Sequence, residues 1–222
     1  MSERRRSIAA LATEFVVIVV GVLVALGFDE LRESRREARI EAALIDGLIN
    51  DLVADSIDIA GFRATGDARK RQGEFLLAVA NGDAATPEEV GAAFGRLIFP
   101  VKLDIVESTY RDMVGSGASQ SLSSSRARLE IGRYYGLASK RQNGNSTFEE
   151  SQRRLRDVLI VRGVSPRGGE IPAAIARDPE VAAAVSEATF WAEQMVTYPA
   201  DLAAENESLL SLLRTGDWGS PF

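Results

Sequence analysis

Phe15 to Phe28, FVVIVVGVLVALGF, is an unbroken run of apolar residues and glycine, and the uncharged residues Ile8 to Thr13 lead into it. Counted from Ile8 with Glu14 included, the stretch spans roughly 20 residues. At about 1.5 Å per helical residue that is roughly 30 Å, the thickness of a bilayer's hydrocarbon core. Three placements fit such a segment: a membrane span, a cleaved export signal, or a core helix. The basic Arg4, Arg5, Arg6 and the small residues at 25–27 suit a signal. Glu14 directly before the apolar run speaks against one, and a soluble core helix seldom carries so many β-branched residues without a polar face. The expectation is a retained single-pass anchor: a short basic tail at 1–7, a transmembrane helix at 8–28, an extrinsic domain at 29–215 and a C-terminal tail at 216–222.

Two features of the span bear on partners. A carboxylate at Glu14 costs several kcal/mol in hydrocarbon, so it either sits at the interface or pairs with a basic group on a neighbour. Gly21 and Ala25 form a small-xxx-small pair that lets another helix backbone approach. Glu14, Gly21 and Ala25 are therefore the candidate partner contacts. Arginines flank both ends of the span, Arg4 to Arg6 before it and Arg32, Arg35, Arg36 and Arg39 after it, so charge bias alone does not orient it. The short N-terminal tail before a long C-terminal domain fits a signal anchor, with the domain outside the cytoplasm. The expected location is a bacterial inner membrane with a periplasmic domain.

Composition removes much chemistry. The 222 residues include no Cys and no His, which excludes disulfides, thiolate or imidazole metal sites and any nucleophile–His pair. No phosphate-binding loop, dinucleotide fingerprint or nucleophile-elbow motif is present. A net charge of −6 argues against a nucleic-acid surface, which needs clustered positive charge. No catalytic residue, cofactor site or metal site is assigned.

Past the span the pattern is helical throughout. In 41–62, Ile45, Leu48, Ile49, Leu52 and Ile59 form one stripe, with Asp46, Asn50, Asp51, Asp55 and Asp58 placed largely on the other side. Nothing between Phe28 and Glu41 breaks a helix, so the anchor is expected to run on into it, with Gly61 and Gly66 as points of bending. A further helix is expected to end at Asn81-Gly82. Thr86, Pro87, Glu88 and Glu89 start another that Pro100 closes. More helices are expected at 104–117, at 123–142 from a serine cap, at 143–163 with Ser146 and Glu149 as a capping box, from Asp178-Pro179, and after Pro199. No alternating β run stands out. The fold class is all-α: an N-terminal transmembrane helix continuing into an extrinsic antiparallel helical bundle, with the long first helix covered by the helices at 126–161 and 179–213.

Glu14, Gly21, Val22, Leu23, Val24, Ala25, Leu26 and Asp29 resemble the span of an uncharacterised family of bacterial single-pass proteins. The run STYRDMVGSG, through Thr109, Tyr110, Asp112, Met113, Ser116 and Gly117, is similar to a second motif of that family, followed by paired tyrosines, here Tyr134 and Tyr135. The usual aromatic after the span is Leu31 here. The resemblance implies a helical membrane-anchored fold and no activity. Thr109, Tyr110, Asp112 and Ser116 are the candidate polar cluster, and their plain reading is a helix end that caps itself. The leading functional expectation is an accessory subunit that packs against integral subunits of a larger membrane assembly of respiratory or photosynthetic type, with the lipid bilayer as its other partner and self-association open. The alternative is a single-pass sensor with a ligand pocket near Tyr110, Tyr134 and Trp191. A carboxylate-only enzyme is the third.

Overall fold

The long first helix governs the architecture. In the computed structural model, which describes residues 2–165 and 169–216 and side chains from Val19 onward except those of 23–26 and 29, α1 runs without interruption from Ser2 to Ala80, 79 residues. At about 1.5 Å per residue its length is about 120 Å. Gly61 and Gly66, the points where a bend or pause was possible, do not interrupt α1, and the stretch expected as a further helix before Asn81 is part of it. The helix stops at Asn81-Gly82 as expected, Gly82 having φ +119°.

The buried face of α1 is set by a spacing of alternately four and three residues: Leu48, Leu52, Asp55, Ile59, Phe62, Gly66, Arg69, Gly73, Leu76 and Val79. This is the seven-residue repeat that keeps one face toward a partner over many turns. Around it the chain folds up, down, up, down in four rods. α1 is the first. The second is α2 (Pro87–Ile98), a non-helical strap over 99–107, α3 (Ser108–Ser116) and a short 3-10 turn at Ala118–Ser121. The third joins α4 (Ser125–Gln142) and α5 (Asn145–Val161). After the four-residue α6 (Ala173–Ala176), the fourth joins α7 (Pro179–Thr197) and α8 (Ala200–Thr215). All elements are helical, and among the described residues there is no strand.

Local chemistry explains most boundaries. Thr86 and Glu89 form the capping box of α2, with the Thr86 N–H donating to the Glu89 carboxylate at 2.8 Å. Ser124 caps α4 and Asp178 caps α7, the latter accepting from the Glu180 and Val181 N–H groups. α5 departs from expectation: it begins at Asn145 with no side-chain cap, and the Ser146 hydroxyl donates to the Asn143 carbonyl instead of forming a box with Glu149. The expected helix at 104–117 starts only at Ser108, and 104–107 belong to the non-helical strap.

The core has two parts. One gathers Leu48, Leu52, Phe62, Ile131, Tyr134 and Leu209, and the other gathers Leu76, Phe94, Leu97, Leu155, Val181 and Val185. Arg69, Ser151 and Gln152, all buried, lie between them. α1 packs along the α7–α8 rod as expected; α4 packs chiefly on α8 and α5 on α7, and neither lies along α1. Below Glu41 the bundle ends. Glu41 accepts from the Ser123 N–H and hydroxyl, both at 2.7 Å, whereas Glu30 to Arg39 are all exposed.

Among the described residues no helix is long and apolar enough to cross a membrane. The side chains of 8–18 and 23–26, including Glu14 and Ala25, fall outside the described set, as does the tail after Gly216. Gly21 is described and exposed, with nothing near its backbone.

Two glycines of the α1 stripe are contact points. A Cβ on Gly73 would lie 1.9 Å from the Thr189 hydroxyl oxygen, and one on Gly66 would lie 2.9 Å from the Ala192 carbonyl oxygen, so α7 rests directly on the α1 backbone there. Gly61 has nothing within 4 Å. Gly73→Ala is expected to destabilise by about 1–3 kcal/mol through overpacking, whereas Gly61→Ala gains up to about 1 kcal/mol of helix propensity. Urea unfolding of both variants checks this, and equal effects would remove the close-contact account.

Candidate functional site

The buried polar chemistry gathers where the strap crosses α1, α4 and α8. Asp55 is fully buried. One carboxylate oxygen accepts from the Val106 N–H at 2.7 Å and the other from the Tyr134 hydroxyl at 2.7 Å. Asn206 on α8 donates to the Tyr134 oxygen at 3.2 Å and to the Leu52 carbonyl at 3.0 Å. Four elements thus meet at one carboxylate. Burial, the largest influence, raises Asp55 from its ordinary 3.8 to about 6; the two hydrogen bonds oppose the rise and nearby Asp51 and Asp58 add to it. Burial likewise pushes the Tyr134 and Tyr135 hydroxyls well above the usual phenol range. The Tyr135 hydroxyl is buried with no hydrogen-bond partner among the described residues.

The strap is held by side chains in place of a neighbouring strand. The Asn145 amide accepts from the Leu103 N–H at 2.9 Å and donates to the Leu103 carbonyl at 2.8 Å. The Gln142 amide, in the orientation that satisfies both its ends, accepts from the Ile105 N–H at 3.0 Å and donates to Glu107 at 3.1 Å. Each bond removes a backbone group that burial would otherwise leave unpaired. Leu103 and Ile105 are buried, while Lys102 and Asp104 point to solvent.

Asp51, one turn before Asp55, serves α3. The N-terminal residue Glu107 makes no side-chain cap; Asp51 takes that role from the neighbouring helix, accepting from the Thr109 N–H at 3.0 Å and from the Ser108 hydroxyl at 3.3 Å. The expectation that Asp51 and Asp55 lie on the solvent side of α1 is therefore corrected: both face the bundle, because the seven-residue stripe runs through position 55 as it does through Leu48 and Leu52.

The expected cluster of Thr109, Tyr110, Asp112 and Ser116 does not converge. Thr109 packs against the Gly47 backbone, where a Cβ would lie 2.9 Å from its methyl group. Tyr110 stacks on Tyr135, with ring centres 4.2 Å apart and planes 12° from parallel. Asp112 and Ser116 are exposed on the other side of α3, where the Ser116 hydroxyl donates to the Asp112 carbonyl at 2.6 Å. Gly117, at φ +75°, ends the helix. The space proposed for a ligand near Tyr110, Tyr134 and Trp191 is filled by rings: Trp191 meets Phe148 edge-on at 5.9 Å, and Tyr134 meets Tyr135 at 5.0 Å.

The second buried charge is Arg69. It donates to the carbonyl of Phe99, the C-terminal cap of α2, and the Gln152 amide bridges the same carbonyl and the guanidinium. Its charge faces the negative end of a helix. Burial lowers it from 12.5 to about 10, so it stays cationic at neutral pH. Arg63 meets the end of α7 in the same way, donating to the Val196 carbonyl at 3.2 Å. Among the described residues no group of three or more acidic residues is placed to hold a metal ion.

No family model matches the chain, and neither the characterised proteins nor the solved structures compared with it give a match.

The Asp55 carboxyl binds its proton more tightly folded than unfolded. Its ionisation therefore opposes folding: stability falls as pH rises from about 4 to about 6 and is flat above that for this group. The loss across that window is on the order of 3 kcal/mol. In Asp55→Asn the same window should lose this decline, measured as the wild-type minus variant difference in urea unfolding from pH 4 to 7; an unchanged difference would refute the assignment. Asp51→Ala should cost about 1 kcal/mol as a lost cap, while Asp112→Asn stays within about 0.5 kcal/mol.

Proposed function

We propose that this chain is a non-catalytic, membrane-anchored accessory subunit whose helical bundle braces a larger membrane assembly. The observation that carries this reading is the bare lower half of α1. A helix of this length, unsupported by the bundle below Glu41, exposes Val20, Val22, Phe28 and Leu31 at 51, 52, 70 and 58 %. Isolated helices are marginal in water and an apolar one is insoluble there, so this stretch needs a cover. A bilayer is the cover that its sequence from Ile8 to Phe28 suits. In this reading the arm fixes the bundle at a set height, because α1 is one rigid element from the span to the far end of the domain. The inner membrane of a bacterium, with the bundle on the periplasmic side, is the location proposed.

The polar groups inside the bundle support the structural role. Asp55, Tyr134, Asn206 and the half-buried Asn145 and Gln142 spend their hydrogen-bonding capacity on backbone groups, on one another and on Glu107, which ties the strap and the third and fourth rods to α1. Groups engaged in this way hold a shape.

Carbonate washing of membranes is expected to leave the chain bound, with N-terminal sequencing finding a start before Ile8; a soluble product beginning near Phe28 would overturn the anchor. A variant lacking residues 2–39 is expected to be soluble, monomeric and within about 2 °C of the parent's thermal midpoint, since the first bundle contact is at Glu41. A larger loss would show that the arm supports the bundle rather than the reverse.

A further inference from the structure

We propose that the face of α1 turned away from the bundle docks a helix from a second membrane protein, one whose first turns above the bilayer are acidic. This rests on the membrane-anchored reading above. Positions 36, 43, 50, 57 and 64 recur every seven residues and so stay on one side of α1, opposite Leu48, Leu52, Ile59 and Phe62. Arg36, Ala43, Asn50, Ile57 and Ala64 are all exposed, Ile57 at 67 %. At the lower end Arg32 and Arg39 lie four and three residues from Arg36, and Arg35 lies three and four residues from the same two, which groups four guanidinium groups at the strip. Two of them make only slight local contacts: Arg36 lies 3.7 Å from an exposed Glu33, and Arg39 donates to the Arg35 carbonyl. The strip's upper half carries no basic residue, and the exposed Asp46 lies on it, three residues from Ala43 and four from Asn50.

Of the acids of the same stretch, Glu33 borders the strip beside Arg36 and three lie elsewhere. Glu30, Glu37 and Glu41 are in register with Leu48, beneath the bundle. Downward, Ala25 precedes Arg32 by seven residues and Gly21 by eleven, so the small-residue pair of the span continues the arginine strip by register. A partner helix following α1 would meet small residues first, then arginines, then Ala43.

Charge and height decide among occupants. Two copies anchored in one membrane run parallel at equal height, so strip against strip sets four arginines against four. A copy turned to offer its acidic side instead would have its own bundle in the way above Glu41. A lipid surface fits poorly as well: Arg39 stands about 16 Å above Phe28, beyond the headgroups, while Glu30 stands about 3 Å above it and repels anionic lipid. A helix carrying Asp or Glu at the heights of Arg32 to Arg39 satisfies the strip and clears the bundle.

The test is photo-cross-linking of the full-length chain in the membranes of the cells that make it, with p-benzoylphenylalanine in place of Ala43 or Ile57 and, as a control off the strip, Glu207. The expected result is a discrete adduct from both strip positions and none from the control. Sequencing of the cross-linked peptide should find a segment beside a membrane span with acids outnumbering bases. Replacing Arg32, Arg35, Arg36 and Arg39 together by Gln should lower the yield about tenfold, the effect of four pairs at about 0.3–0.5 kcal/mol each. Glu30→Gln with Glu37→Gln should leave the yield within about twofold. Circular dichroism of the Gln variants checks that the bundle is intact. An adduct with a second copy, with lipid or with a neutral or basic segment would overturn the proposal, as would no adduct or one indifferent to the arginines. Carbonate washing of the same membranes scores the anchor separately: a chain that washes out yet keeps an arginine-dependent adduct to an acidic segment refutes the anchor and retains the acidic partner.

Discussion

The structure depends on one helix having to bury a stripe that repeats every seven residues from Leu48 to Val79. A straight α-helix turns such a stripe slowly around its axis, so no single short helix can cover it. The chain answers with rods made in pieces. The α7–α8 rod follows α1 and is interrupted at Tyr198-Pro199; the α4–α5 rod is interrupted at Asn143-Gly144; the second rod gives up helix altogether over 99–107. These three interruptions fall near one level. Asn145 bonds Leu103 there, a Cβ on Gly144 would come within 3.0 Å of the Tyr198 ring, and Phe148 meets Phe62 and Tyr198 edge-on. Only α1 passes through unbroken.

Where the rods break, backbone groups lose their helical partners, and the buried polar side chains stand at those places. Asn145, Gln142 and Asp55 pair with the strap's N–H groups, Asp51 caps α3, and Arg69 and Arg63 meet the ends of α2 and α7. A buried carboxylate or guanidinium is costly, and at Asp55 and Arg69 part of that cost is offset by the backbone groups they pair with. Ion pairs add alignment at the surface: Arg141 pairs with Asp201 while lying 4.1 Å over the Tyr198 ring, and Arg162 joins Asp178 and Glu180 at the end of α5. In the same arrangement the polar atoms of Asp55, Tyr134 and Asn206 are directed inward, to the joints.

On α1 the lower, bare part and the upper, packed part obey one register. The acids at 30, 37 and 41 continue the buried stripe downward, and the arginines continue the exposed one. Below the bundle the helix therefore has two chemically different sides, both of them exposed from Glu30 to Arg39.

The sequence by itself determined that the chain is helical, that α1 begins with an apolar segment and runs on past it, and where most helices start and stop. Those are local properties: Thr86, Pro87 and Glu89 build their own capping box, Asp178 caps its own helix, and Gly82 and Gly117 supply the left-handed turns. The seven-residue spacing was legible too, yet reading Asp55 as polar and therefore outward hid that it lies on the buried stripe. The alternation of Val101, Lys102, Leu103, Asp104 and Ile105 was the missed signal for a non-helical strap. Only the tertiary structure decided the partners. Asp55, Tyr134 and Asn206 are 79 and 72 residues apart along the chain, and Asp51 caps a helix 58 residues away. Whether a buried carboxylate finds a donor depends on which rods meet at its level, and no local pattern carries that information.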